Sequence, residues 1–75
     1  MPRLPRITGK EAIKAFSKVG FILDHIEGSH HILRNPAKRP RLSIPVHSNK
    51  IVGLRLLKTQ INLAGISVEE FEKLL

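Results

Sequence analysis

Two adjacent histidines follow a Gly-Ser pair and are the residues best suited to chemistry. His30 and His31 come directly after Gly28 and Ser29. A histidine titrates near neutral pH, so it can take a proton from the 2′-hydroxyl of an RNA bound beside it. The pattern allows RNA cleavage without a metal, although strand histidines in small basic domains also serve as surface or hydrogen-bonding residues. Neighbouring strand residues point to opposite faces and cannot share one site, so one of the two, His30 or His31, is expected to be the chemical residue.

A carboxylate precedes this segment at Glu27. If the Gly-Ser pair forms a two-residue turn, Glu27 lies opposite His30 and can orient the imidazole, fix its tautomer and favour its charged form.

His25 and His47 could join His30 in a zinc site. No carboxylate pattern or short fixed spacing supports that site, and the positive field opposes a dication. We therefore expect no metal and no cofactor.

The charge is strongly positive and unevenly distributed. Lys and Arg number 13 against 6 Asp and Glu, the net charge is +7, and residues 28–68 contain no acidic residue. Such a field attracts polyanions, of which nucleic acid is the commonest. Because Phe occurs three times and Tyr and Trp are missing, contact with the RNA backbone is expected rather than base stacking. The candidate RNA-binding residues are Arg34, Lys38, Arg39, Arg41, Lys50, Arg55 and Lys58.

The elements that must position these residues begin with a helix over about residues 9–19. An irregular arm over residues 1–7 is expected before it, because two prolines stand among basic residues. Thr8 and Glu11 have the spacing of a capping box, apolar residues then recur at helical spacing, and Gly20 ends the run.

Three strands are predicted next. Phe21–Glu27 and His30–Asn35 form a hairpin closed at the Gly-Ser pair. Arg41–Val46 alternates apolar and polar residues and predicts a third strand, at an edge because of the proline near its end. Between the last two strands a turn is predicted over residues 36–40, with Lys38 and Arg39 at its tip.

The remaining residues predict two helices. Ser48 or Asn49 could begin the first, and Gly65 ends it. Ser67 and Glu70 form a second capping box before a short terminal helix. The apolar stripe of the longer helix consists of Leu54, Leu57, Ile61 and Ala64. The order predicts an α+β fold in which helices cover one face of a small three-stranded antiparallel sheet.

Length and composition exclude several classes of protein. The 75 residues fit a single domain over residues 1–75. A chain of this length is too short for most large cofactor-binding enzymes. The sequence has no cysteine and no apolar span long enough to cross a membrane, and its first residues do not have the pattern of a secretory signal. A cytosolic protein is therefore expected. The sequence also lacks the glycine spacing of a nucleotide-binding phosphate loop and the Gly-x-Ser-x-Gly motif of a nucleophile elbow.

The whole pattern resembles the HicA toxins of bacterial and archaeal toxin-antitoxin pairs. The resemblance covers nearly the entire chain, and its motifs are specific only in combination. They are Gly20-Phe21 after the first helix, Gly28-Ser29-His30-His31-Ile32 followed by Asn35-Pro36, residues 44–50, and residues 64–67 with residues 69–71. One departure is Leu54-Arg55-Leu56, where many relatives have a Pro-Gly-Thr-like start of the second long helix.

The resemblance implies a fold similar to the double-stranded-RNA-binding domain and an endoribonuclease that cleaves mRNA without a metal. It places the catalytic histidine at His30, with a possible slip of one residue to His31. It also implies a HicB-type antitoxin that covers the active-site region. A non-catalytic double-stranded RNA-binding module explains the charge and the fold equally well. A module whose basic face docks an acidic protein partner is the third alternative.

Overall fold

A computed structural model describes residues 4–75. The elements are α1 (Gly9–Ser17), β1 (Ile22–Glu27), β2 (His30–Asn35), β3 (Lys38–Pro45), α2 (Leu54–Ala64) and α3 (Val68–Lys73). The strands form one antiparallel sheet in the order β1-β2-β3. The predicted α+β class, the element order and the edge position of β3 are confirmed. Of the predicted N-terminal arm, residues 1–3 lie outside the described residues.

Both predicted capping boxes are present. Thr8 Oγ1 accepts from the Glu11 N–H and the Glu11 carboxylate accepts from the Thr8 N–H. Ser67 and Glu70 make the same reciprocal pair before α3. α1 ends at Ser17, two residues before the predicted end, because residues 18–20 form a turn in which Gly20 has a φ of 99°.

The predicted turn over residues 36–40 is wrong in length. Asn35 pairs with Lys38, so only residues 36 and 37 form the turn, and Lys38 and Arg39 belong to β3 instead of lying at a tip. The physical reason is the Asn35 side chain, whose Oδ1 accepts from the Ala37 N–H at 2.9 Å. Pro40 is tolerated within β3 because an edge strand can leave one side of its backbone unpaired.

The predicted start of the longer C-terminal helix is also wrong. α2 begins at Leu54 after Gly53, which has no side chain to cap it. Ser48 and Asn49 instead form a separate turn, in which Ser48 has a φ of 49°. Leu54 of the predicted stripe is 43% exposed, whereas the other three members are fully buried. Gln60, which is outside the predicted stripe, is also buried.

The core lies between the helices and one face of the sheet. On that face Leu33, Leu42 and Ile44 are buried. The helices contribute Phe16, Leu57, Ile61 and Phe71, among others. α1 begins against the end of β3, where a Cβ at Gly9 would overlap the Pro45 carbonyl and come within 2.9 Å of Val46 Cγ2. Only glycine permits this close approach.

The opposite face of the sheet, called the open face below, carries polar side chains. Alternation from the buried residues assigns it His30 and Arg34 of β2 and Ser43 of β3. On β1, His25 lies opposite Ile32 of β2 and Glu27 lies opposite His30, so both belong to the open face, and they are exposed like the rest of β1.

Candidate functional site

His30 is exposed on the open face at the start of β2. Its backbone pairs with Glu27 on one side and Pro45 on the other, so Glu27 stands opposite His30 as predicted. The imidazole Nδ1 lies 3.2 Å from Ser43 Oγ. Contact with that hydroxyl orients the ring through Nδ1 and leaves Nε2 for chemistry.

Ser43 is in turn held by α2. Its backbone N–H donates to Oε1 of the buried Gln60 at 2.9 Å, on the helix side of the strand. A buried amide at this position satisfies an edge N–H that would otherwise have no partner. Gln60 therefore links α2 to the strand position whose hydroxyl contacts His30.

His31 has a different environment. It lies opposite Ile26 and Ile44, on the face that carries the core, and is half-buried. Its Nδ1 is buried and has no hydrogen-bond partner among residues 4–75. The two histidines thus lie on opposite faces of the sheet, and only His30 shares a face with His25 and Arg34.

The sequence predicts that Glu27 orients His30, but in the structure the Glu27 carboxylate contacts the imidazole of His25. Glu27 Oε1 lies 2.9 Å from His25 Nε2, and His25 Nδ1 lies 2.7 Å from Asp24 Oδ2. These contacts raise the pKa of His25 above 6.5, the bond to Glu27 contributing most. The side chain that contacts His30 is the Ser43 hydroxyl.

Asp24 reaches the open face because β1 contains a bulge. Leu23 pairs with Leu33 and His25 with Ile32, so Asp24 is the extra residue between them. Its carboxylate lies 3.2 Å from Arg34 Nε and 3.3 Å from Arg41 Nη1. The His25 hydrogen bond is the largest cause that lowers the pKa of Asp24, and the two guanidinium charges act in the same direction.

The structure does not bring the predicted RNA-binding residues together on one surface. Arg34 and Arg41 lie on the open face, whereas Arg55 and Lys58 are exposed on α2. Lys38 Nζ donates to the Ala64 carbonyl at 2.6 Å and so caps the end of α2. Arg39 is exposed in β3, and Lys50 is exposed in the loop before α2.

Sequence reasoning missed Asp24, Ser43 and Gln60. Asp24 and Glu27 are the last two acidic residues before residues 28–68, which contain none. This position is the only signal that the sequence offered for Asp24. Ser43 and Gln60 acquire their roles through pairing between β2 and β3 and through the packing of α2. No sequence spacing encodes either contact.

A comparison with protein families decides between the possible identities of this basic α+β chain. A family model described as the HicA toxin of bacterial toxin-antitoxin matches residues 9–66. The chain belongs to the HicA toxin family. The resemblance stated from the sequence is thereby confirmed. Comparison with curated proteins gave no match.

Membership places the chain among toxins of toxin-antitoxin systems, which at the level of the HicA family are mRNA-cleaving ribonucleases with an antitoxin partner. The matched residues contain β1, β2 and β3 entire, together with α1 and α2. Within residues 4–75, none of the helices is long and apolar enough to cross a bilayer. The same residues hold no group of three or more His, Asp or Glu side chains placed to bind a metal ion.

Proposed function

We propose that this chain is an endoribonuclease toxin that cleaves mRNA by metal-independent acid-base chemistry at His30 and is neutralised by a HicB-type antitoxin. The family match over residues 9–66 is the observation that carries the proposal. The exposure of His30 and its contact with Ser43 support the assignment of the catalytic residue. His31 remains the second candidate, and its half-buried position on the helix side makes it less accessible to RNA.

The proposed chemistry uses Nε2 of His30. With Nδ1 facing Ser43, Nε2 takes the proton of a 2′-hydroxyl while that oxygen attacks the adjacent phosphorus. The bond from phosphorus to the 5′-oxygen breaks, and a water molecule supplies the proton to the leaving oxygen. Arg34 and Arg41, on the same face as His30, stabilise the negative charge of the RNA backbone.

The proposal is tested by cleavage of a mixed RNA by purified protein in EDTA, resolved on a gel. Wild type is compared with His30→Ala and His31→Ala, after circular dichroism shows that each variant is folded. Wild type is expected to cut and His30→Ala to have no activity, with His31→Ala retaining cleavage. Loss in His31→Ala alone would move the catalytic residue by one position. Binding of RNA by wild type with no product would favour a non-catalytic double-stranded RNA-binding module.

The antitoxin part of the proposal has its own test. A HicB-type protein from the same genome is expected to abolish cleavage by wild type when added in equimolar amount. It is also expected to bind His30→Ala, because that substitution removes the catalytic imidazole and leaves the surrounding surface. Cleavage that continues in the presence of such a protein would contradict this part alone.

A further inference from the structure

One carboxylate lies between two guanidinium groups on the open face. Asp24 Oδ1 is 3.2 Å from Arg34 Nε, and Asp24 Oδ2 is 3.3 Å from Arg41 Nη1. The Asp24 side chain is 26% exposed, against 46% for Arg34 and 59% for Arg41. The carboxylate is therefore less exposed than the two arginine side chains that contact it, and both of these side chains remain accessible from the solvent.

Most donors of the two guanidiniums are not used by Asp24. A guanidinium carries five N–H donors, and each arginine meets Asp24 through a single close nitrogen-oxygen pair. Phosphate and carboxylate are recognised by the same planar fork of donors. The unused N–H groups of Arg34 and Arg41 can thus donate to a phosphate while each arginine keeps its contact with Asp24.

The pair is correctly placed to act together with His30. Arg34 lies four residues after His30 on the same strand and the same face, a separation of roughly 13 Å at the rise of a β-strand. Only Ile32 of β2 lies between them on this face. A single RNA strand that crosses the open face would therefore meet the arginine pair more than one phosphate away from the histidine.

We infer that Arg34 and Arg41 form a phosphate-binding subsite on the open face for the RNA backbone, and that Asp24 limits the strength of this subsite by neutralising part of its charge. The inference rests on the proposed function, since it takes RNA as the ligand. Asp24 is a positioning residue here: it holds both guanidiniums side by side, and its negative charge offsets one of their two positive charges and so weakens their attraction for phosphate. The sequence-wide charge of +7 thus overstates the attraction at this point of the surface.

The test measures binding of a single-stranded 2′-O-methyl RNA oligonucleotide, whose blocked hydroxyls prevent the proposed cleavage. Asp24→Asn removes the charge, Asp24→Glu keeps it, and Glu72→Gln makes the same change of net charge on exposed α3. Affinity is measured by fluorescence anisotropy across a range of salt concentrations. Circular dichroism confirms that every variant is folded.

Asp24→Asn is expected to bind several-fold more tightly than wild type. Its plot of log affinity against log salt is expected to be steeper by about 0.7 for each additional phosphate contact. Asp24→Glu is expected to stay near wild type, and Glu72→Gln is expected to change affinity less than Asp24→Asn. Unchanged or weaker binding by Asp24→Asn, an effect no larger than that of Glu72→Gln, or no binding by any variant would overturn the inference.

Cleavage of ordinary RNA by wild type, measured in parallel, separates the two proposals. If wild type does not cut RNA but Asp24→Asn binds the oligonucleotide more tightly, the phosphate subsite stands and the ribonuclease proposal fails. If wild type cuts RNA and Asp24→Asn binds no better, the ribonuclease proposal stands and the subsite fails.

Discussion

His30 and His31 show how much one residue of register changes the environment of a side chain. His30 is exposed beside a hydroxyl, and His31 lies half-buried between two isoleucines with an unpartnered Nδ1. A proton-transfer residue needs access to its substrate and a defined ring orientation, and His30 has both. The orientation of the His30 ring therefore depends on its contact with the Ser43 hydroxyl.

Ser43→Ala is expected to slow cleavage without weakening RNA binding. Loss of the hydroxyl removes the contact with His30 Nδ1, and one hydrogen bond contributes about 1 kcal/mol, equivalent to a rate change of about fivefold. The single-turnover cleavage rate and the RNA affinity are measured separately. Ser17→Ala, at the end of α1, is the matched control. An unchanged cleavage rate in Ser43→Ala would show that the hydroxyl does not orient the His30 ring for cleavage.

His25 is expected to make stability depend on pH. Glu27 and then Asp24 raise its pKa above 6.5, with Arg34 and Arg41 around the same Asp24 carboxylate. Protonated His25 therefore stabilises the folded state fully below pH 6.5, and this contribution is lost as the pH rises through the raised pKa.

In thermal unfolding, His25→Gln should accordingly lower the melting temperature more at about pH 6 than at about pH 9. His47→Gln, at an exposed position in the loop after β3, is the matched histidine control. The expectation fails if the difference between wild type and His25→Gln is the same at both pH values.

At the scale of elements, two local irregularities place the candidate site. The bulge in β1 turns Asp24 and His25 toward the same face, which a regular strand cannot do with neighbouring residues. At the other edge, Gly9 lets the start of α1 approach the end of β3. This contact fixes the strand end at Pro45, which pairs with His30.

Gly9→Ala is expected to destabilise the fold by about 1–3 kcal/mol, because an added methyl group overlaps the Pro45 carbonyl and crowds Val46. Gly53→Ala is the matched control, since nothing lies within 4 Å of its Cβ position. The control should change the free energy of unfolding by no more than about 0.5 kcal/mol. Urea unfolding measures both, and equal effects at the two glycines would refute the close approach.

At the scale of the whole molecule, the basic residues divide between two surfaces. Arg34 and Arg41 share the open face with His30, whereas Arg55 and Lys58 lie on α2. Under the proposed function, an RNA strand placed at His30 contacts the first pair along the sheet, whereas the second pair lies on a helix outside the sheet. The net charge favours RNA at both surfaces, and the proposed role of His30 favours the surface beside the histidine.

Neutralising the open-face pair is therefore expected to weaken RNA binding more than neutralising the α2 pair. Arg34→Gln with Arg41→Gln is compared with Arg55→Gln and Lys58→Gln, which remove the same charge. Filter binding at two salt concentrations should show the larger loss of affinity and the larger decrease in salt dependence for the open-face variant. A larger loss for the α2 variant would place the RNA on the helix side.

The sequence by itself determined the elements and their order. Both capping boxes, the Gly-Ser turn that sets Glu27 opposite His30, and the edge position of β3 follow from short-range patterns. These features depend on residues within a few positions of one another, where local hydrogen bonds and backbone preferences decide the outcome. The HicA resemblance likewise rested on local motifs and was confirmed over residues 9–66.

Only the tertiary structure decided which side chains meet. The contacts of Ser43 with His30, Gln60 with the Ser43 backbone, and Asp24 with its two arginines join different elements. The bulge that brings Asp24 to the open face shifts the register by one residue, and neither composition nor alternation encodes that shift. Strand pairing and helix packing select these partners because they bring together residues that the chain keeps far apart.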